Sequence, residues 1–169
     1  MIPVTYIKRN AKLLGGCFNT STKPLMTLFY AKLVIIEVGG WVEMSMDDLA
    51  YRAGKTLVAA PNAKYLEREV IRKNYGFDYE KNFRPMLMKV IGLVRLEKLE
   101  RNLDVSKHTK MKAALELLKN ARNSVAHTYV KNPSGGMVIA APSVSLSYFS
   151  DIYDGLKDIE EKMKSLKLI

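Results

Sequence analysis

Residues Leu115 to Val130 read LELLKNARNSVAHTYV. The stretch begins as an amphipathic helix and ends in a cluster of polar groups. At about 100° per residue, Leu115, Leu118, Arg122 and Val125 share one stripe with Met111. Arg122 therefore stands where the pattern calls for an apolar side chain, and Arg is rarely buried without a partner. A side chain snorkelling from the core edge, or one paired with a buried carboxylate, accounts for that on residue types alone. A phosphate-handling site accounts for it as well: Arg holds charge, His moves protons and Asn orients. Asn123 and His127 are spaced to meet on the neighbouring face, together with Lys112, Glu116 and Lys119.

On either side of this stretch the chain reads as helices. Residues 4–14 have helical character and are expected to stop at Gly15-Gly16. Pro24 suits a first helical turn, and Leu25, Leu28, Phe29, Val34, Ile35 and Val38 can face a core. The apolar spacing resumes at Trp41-Val42, so this helix is expected to pass through Gly39-Gly40; a break at the glycines is the alternative. Glu37 lies inside this apolar run. It either points to solvent or pairs with Arg122, since a buried carboxylate must be paired or protonated. Glu43, Asp47 and Asp48 read as solvent-facing charges. Gly54 should end the helix, and Pro61-Asn62 should start another with Asn62 as cap. That next segment bears the basic residues Lys64, Arg68, Arg72 and Lys73.

A helix over 84–101 is apolar almost throughout from Met86 to Leu96, which predicts a central helix or a dimer surface. Asp104 or Ser106 caps the helix that carries Arg122, with His108 exposed in its first turn. Residues 131–136 have loop chemistry, and Met137 to Ala140 form a short apolar run. Leu146, Phe149, Ile152, Leu156, Ile159 and Met163 then recur at helical steps. The expected fold class is all-α: five to six helices in a single domain over 1–169, with 1–22 an N-terminal helix and loop and 23–169 the bundle core.

The chain of 169 residues carries 27 Lys and Arg against 17 Asp and Glu, a net charge of +10. That excess favours a polyanionic partner, RNA, DNA or an acidic protein, over a neutral one. Cys17 is the only cysteine, which rules out an internal disulfide and a Cys-based zinc site. The two histidines, His108 and His127, form no metal-binding motif, so neither metal nor cofactor is expected. The N-terminus lacks signal-peptide grammar. LVIIEVGGWVEM is interrupted by Glu37 and reads as too short to span a bilayer, so no membrane association and a cytoplasmic location are expected.

Arg122-Asn123-x3-His127 resembles the Arg-x4-6-His motif of HEPN-domain proteins, with the polar residue that often follows the Arg. LVIIEVGGWVEMSMDDL and FRPMLMKVIGLVRLEKLE are similar to segments of the stand-alone HEPN group related to the RiboL-PSP-HEPN type. The resemblance extends from about Lys23 to Leu166. It implies a helical bundle, dimeric in many members, whose active members cut RNA without metal. RNA carries its own nucleophile, the 2′-hydroxyl, so cleavage needs a proton acceptor, a proton donor and charge stabilisation at phosphate. His127 is then acid or base, Arg122 stabilises the phosphate and Asn123 orients one of them, while Lys112 and Lys119 hold the RNA backbone. One chain supplies too few groups, and a symmetric homodimer would pool two copies of Arg122 and His127 in a composite site. Products would be a 2′,3′-cyclic phosphate and a 5′-hydroxyl. His127-Thr128-Tyr129 also completes Arg-x4-His-x-Tyr, similar to HEPN toxins in which that Tyr is adenylylated by a nucleotidyltransferase antitoxin. Two other roles stay open: a non-catalytic dimeric module binding RNA or nucleotide, and a structural partner of an acidic antitoxin.

Overall fold

The computed structural model describes residues 1–126 and 139–169, and among them all regular structure is helical. The first helix, α1 (Thr5–Thr20), does not stop at Gly15-Gly16 but runs straight through it. Two helix-interior glycines lower its stability by roughly 2 kcal/mol relative to alanines. Packing of Ile7, Ala11 and Leu14 on the bundle offsets that loss, which is the tertiary contribution the local sequence does not display.

The central element is α2 (Pro24–Ala53), a helix of 30 residues that is about 45 Å long. Pro24 sits in its first turn, where its missing N–H removes no bond. The side chains of Ala31, Val34, Ile35, Val38, Val42, Met46 and Leu49 are buried, recurring every three or four residues with Val34 and Ile35 side by side on the same stripe. The helix continues through Gly39-Gly40, as its apolar spacing predicts. It ends at Gly54, whose N–H donates to the Ala50 carbonyl at 3.1 Å. By length and hydropathy alone α2, of which the apolar run LVIIEVGGWVEM is only the middle, is long enough to cross a membrane, a test that a helix buried in a bundle core also passes.

A short helix α3 (Ala60–Tyr65) widens into a π-helical turn, Leu66–Ile71. Ala59 is its cap and Asn62 lies inside its first turn, so the expected Asn cap is not used. A second π turn, Tyr79–Phe83, leads into α4 (Arg84–Ile91). The helix expected over 84–101 is broken at Gly92, whose φ of 79° interrupts the backbone ladder. The chain then resumes as a separate helix, α5 (Leu93–Asn102). Leu93 and Val94 sit just past the break and are 57% and 83% exposed, so this run is not a central helix.

The Asp104 carboxylate accepts the Lys107 N–H at 3.0 Å and starts α6 (Val105–Ala126), settling the cap in favour of Asp104. The last helix, α7 (Pro142–Ser165), lies against α6 and α2 along Phe149, Ile152, Leu156, Ile159 and Met163. At Gly155 α7 approaches α6 closely: a Cβ there would fall 2.5 Å from the Met111 Cβ. Among the described residues the bundle has seven α-helices where five to six were expected, and the break at Gly92 adds one to the count. α2, not the 84–101 segment, touches α1, α4, α6 and α7.

One buried carboxylate ties the first residues of the chain to this frame. Glu160 on α7 is 2% exposed and accepts hydrogen bonds from Arg52 Nη1 at 2.6 Å and the Ile2 N–H at 3.1 Å. The terminal ammonium at 2.8 Å and Lys164 at 3.2 Å add charge. Burial pushes its carboxyl up, but these donors outweigh burial and bring it down to about 2.

Candidate functional site

Arg122 lies near the end of α6, where that helix passes over the middle of α2. Its stem packs on Gly39 of α2: the Arg122 Cγ lies 3.6 Å, and the Phe77 ring 3.5 Å, from where a Gly39 Cβ would stand, both ordinary van der Waals distances. The apolar stem of Arg122 is thereby covered while its guanidinium stays at the surface, with 38% of the side chain exposed. An apolar stem packed on α2, with its guanidinium at the surface, explains how a cation can occupy the apolar stripe of an amphipathic helix.

The guanidinium reaches Glu43, with Nη2 to Oε1 at 3.5 Å. Glu37, which the sequence leaves either solvent-facing or paired with Arg122, is exposed and accepts a hydrogen bond from Asn10 Nδ2 on α1 at 3.2 Å. The pairing of Glu37 with Arg122 is therefore corrected. Positions 37 and 43 differ by roughly 240° around an ideal helix, so only one of them can face α6. Glu37 accordingly stands apart from the Arg122 cluster.

One turn beyond Glu43 on the same helix is Asp47, half-buried, with Oδ1 enclosed and without a hydrogen-bond partner among the described residues. Burial pushes its carboxyl up to about 6, and the nearby charge of Glu43 adds to the effect. Glu43 and Asp47 are thus not the solvent-facing charges the sequence suggests. Arg122 thus pairs with Glu43, and one turn further on the same helix lies a carboxyl whose pKa burial raises to about 6, just below neutral pH. This arrangement can bind an anion at Arg122 and exchange a proton at Asp47. The signal in the sequence was the i,i+4 pair of acids on an otherwise apolar helix.

Asn123 follows Arg122 and is exposed. His127 and Tyr129 lie outside the described residues. Lys112 and Lys119 do share one side of α6, but each already has a carboxylate partner. Lys112 Nζ is 2.6 Å from Glu80 and lies over the Tyr79 ring at 5.4 Å. Lys119 Nζ is 2.6 Å from Asp78. The Lys119 hydrogen bond holds the Asp78 carboxyl below the usual range, against the opposing effect of burial. The groove they line, about 500 Å³, also holds Lys81 and Glu116, so its charges balance. His108 is not an exposed helix-start residue: it packs edge-on against Tyr79 with ring centroids 4.7 Å apart. Burial, followed by the Lys112 charge, pushes its imidazole pKa down.

The unbalanced positive charge lies elsewhere. A groove of about 490 Å³ beside the end of α2 is lined by Arg52, Lys55, Arg95, Lys164 and Lys167, with Leu57, Val90 and Ile91 in its wall. Arg52 and Lys164 share Glu160, and Lys55, Arg95 and Lys167 are exposed. Among the described residues no group of three or more His, Cys, Asp or Glu side chains could hold a metal ion. Set against family models, curated proteins and solved structures, the chain matches none.

Proposed function

We propose that the chain is an endoribonuclease of the HEPN type, cutting RNA without a metal ion. The observation that carries this reading is Arg122, whose guanidinium stays at the surface beside Glu43 and five residues before His127. In the reaction a base removes the 2′-hydroxyl proton and the 2′-oxygen bonds to phosphorus. The bond from phosphorus to the 5′-oxygen breaks, and an acid returns a proton to that oxygen. The ends are a 2′,3′-cyclic phosphate and a 5′-hydroxyl. Arg122 neutralises the charge that grows on the phosphate, an electrostatic contribution that is often the largest in such chemistry. His127 supplies one proton-transfer group, Asn123 orients it or Arg122, and Asp47, raised to about 6 by burial, is a candidate for the second. In a homodimer two copies of Arg122 and His127 serve one composite site. A toxin or antiviral defence effector is the biological role that fits such an enzyme, with Tyr129 the adenylylation acceptor of a nucleotidyltransferase antitoxin if it belongs to that class.

The test is incubation of the purified protein with labelled RNA in EDTA, wild type beside Arg122→Ala and His127→Ala. Cutting by the wild type and loss in both variants is the expected result. Cutting that survives both substitutions, or needs added metal, overturns the reading. The second reading, a module that binds RNA or nucleotide without cutting, is favoured by the cationic groove of Lys55, Arg95 and Lys167. Under it all three proteins bind RNA equally and none cuts it.

A further inference from the structure

α2 has a second face that nothing in the described structure covers. Its most apolar stretch has mean hydropathy 1.6, yet only 33% of that stretch is buried. Leu25, Met26, Phe29, Leu33 and Ile36 are each 36–44% exposed and Met44 is 74% exposed. Met26, Phe29, Leu33, Ile36, Gly40 and Met44 succeed one another at steps of three and four, the spacing of a helix-packing seam. Gly40 itself is exposed, and a Cβ placed there would meet nothing within 4 Å. A glycine inside a helix lowers stability by about 1 kcal/mol relative to alanine. Gly39, its neighbour, is used inside the chain by Arg122, whereas Gly40 serves no such contact among the described residues. Beside it lies a groove of about 420 Å³ between α1 and α2, walled by Tyr6, Ile36, Trp41 and Met44.

We infer that this face is the docking surface for a second copy of the chain, α2 against α2 and antiparallel. Bulk and hollow occur on the same stripe, so the surface complements itself. A twofold axis between residues 34 and 35 sets Phe29 of each copy over Gly40 of the other, and Leu33 over Ile36. Charge favours the antiparallel sense. Lys23, just before the helix, and Lys32 stand towards its start, and Glu37 and Asp48 towards its end, where Arg52 pairs with Asp48; Glu43 lies on the side of Arg122. An antiparallel pair lays the basic start of one helix on the acidic end of the other, whereas a parallel pair would set carboxylates against carboxylates.

The area is adequate. The six exposed apolar residues present on the order of 500 Å² per chain, so a symmetric pair covers about 1,000 Å² before the polar rim is counted, near the threshold for a specific interface. A bilayer fits less well, because the opposite face of α2 is packed into the bundle by α6 and α7 and cannot meet lipid. The twofold keeps each flank of the seam on its own side, so both Arg122 residues end up on one side of the helix pair. Only that last consequence bears on the ribonuclease reading; the surface itself stands apart from it.

Sedimentation of the full chain tests this, with circular dichroism to check that each variant keeps its helix content. The wild type is expected to be a dimer, and Ile36→Glu and Gly40→Leu each to weaken it by at least about tenfold. Val94→Glu, on exposed α5, should leave the dimer intact. In a Cys17→Ser background, chains carrying Met26→Cys should cross-link to chains carrying Met44→Cys and not to themselves. A wild type that stays monomeric to about 100 µM overturns the inference, as does a dimer that survives both α2 substitutions. A monomer that instead binds neutral phosphatidylcholine vesicles assigns the face to lipid and overturns it too. Self-cross-linking of Met26→Cys overturns the antiparallel sense. None of these readouts involves RNA cleavage, so loss of the ribonuclease reading would leave this result standing.

Discussion

Asp47 is the side chain whose ionisation should be easiest to detect. Its folded pKa of about 6 lies above the ordinary 3.8, so the folded state holds the proton more tightly than the unfolded state. Charging Asp47 therefore opposes folding. That penalty is absent below about pH 3.8, grows as pH rises through 6, and is fully present above it. Asp47→Asn should consequently raise the melting temperature at pH 8. A full shift of this size is worth up to about 3 kcal/mol, and solvent screening of a half-buried group reduces that to about 1 kcal/mol. Thermal melts of both proteins from pH 4 to pH 8 check it: the gain should fade towards pH 4, and a gain independent of pH would contradict the assignment. Arg122 is the other side chain that sets the local chemistry. Its place on an apolar stripe was legible in the sequence, because a cation there demands an explanation. Its partner was not legible, since Glu37 and Glu43 both interrupt the same apolar helix. Which of the two faces α6 is decided by how α2 packs in the bundle, through contacts distant in sequence.

Helices depend on glycines at their ends and crossings. At the α6–α7 crossing, Gly155→Ala would put a methyl group 2.5 Å from the Met111 Cβ and 2.7 Å from its sulfur. Overpacking of this kind should remove about 2 kcal/mol of stability, measurable by urea unfolding. An unchanged midpoint would mean that the helices separate freely there. At the α4–α5 break, Gly92→Ala must adopt a φ of 79°, strain that should cost about 1 kcal/mol. Sequence periodicity located α2, α6 and α7 well, because each buries a continuous stripe. It misjudged the glycines in both directions. Gly15-Gly16 lies inside a helix held by tertiary packing, while Gly92 ends one inside an apolar run. A glycine permits both outcomes, and only its neighbours in space choose between them.

Across the bundle as one body, Glu160 and the cationic groove each make a prediction. The folded pKa of Glu160, about 2, lies below its ordinary 4.5, so its contribution to stability is present above pH 4.5 and is lost as pH falls through 2. Glu160→Gln should lower stability at pH 7, and the difference from wild type should shrink in acid. A Glu160→Gln protein as stable as wild type at pH 7 would show that the cluster of Arg52, Lys164 and the chain start does not hold the frame. The net charge of +10 predicted a polyanionic partner, but composition alone does not say where unbalanced charge gathers. Lys112 and Lys119 are neutralised locally, so Lys55→Glu and Arg95→Glu should weaken RNA binding more than Lys112→Ala and Lys119→Ala. Binding titrations at two salt concentrations check that order.

The proposed nucleophile belongs to the RNA, so the decisive test is made on the substrate. The protein is incubated in EDTA with an RNA and with the same sequence carrying 2′-O-methyl groups throughout, and the product ends are identified by mass. If the 2′-hydroxyl attacks, only the RNA is cut, with 2′,3′-cyclic phosphate ends that disappear with Arg122→Ala. Cutting of the methylated strand, or 3′-hydroxyl ends on the RNA, would contradict it.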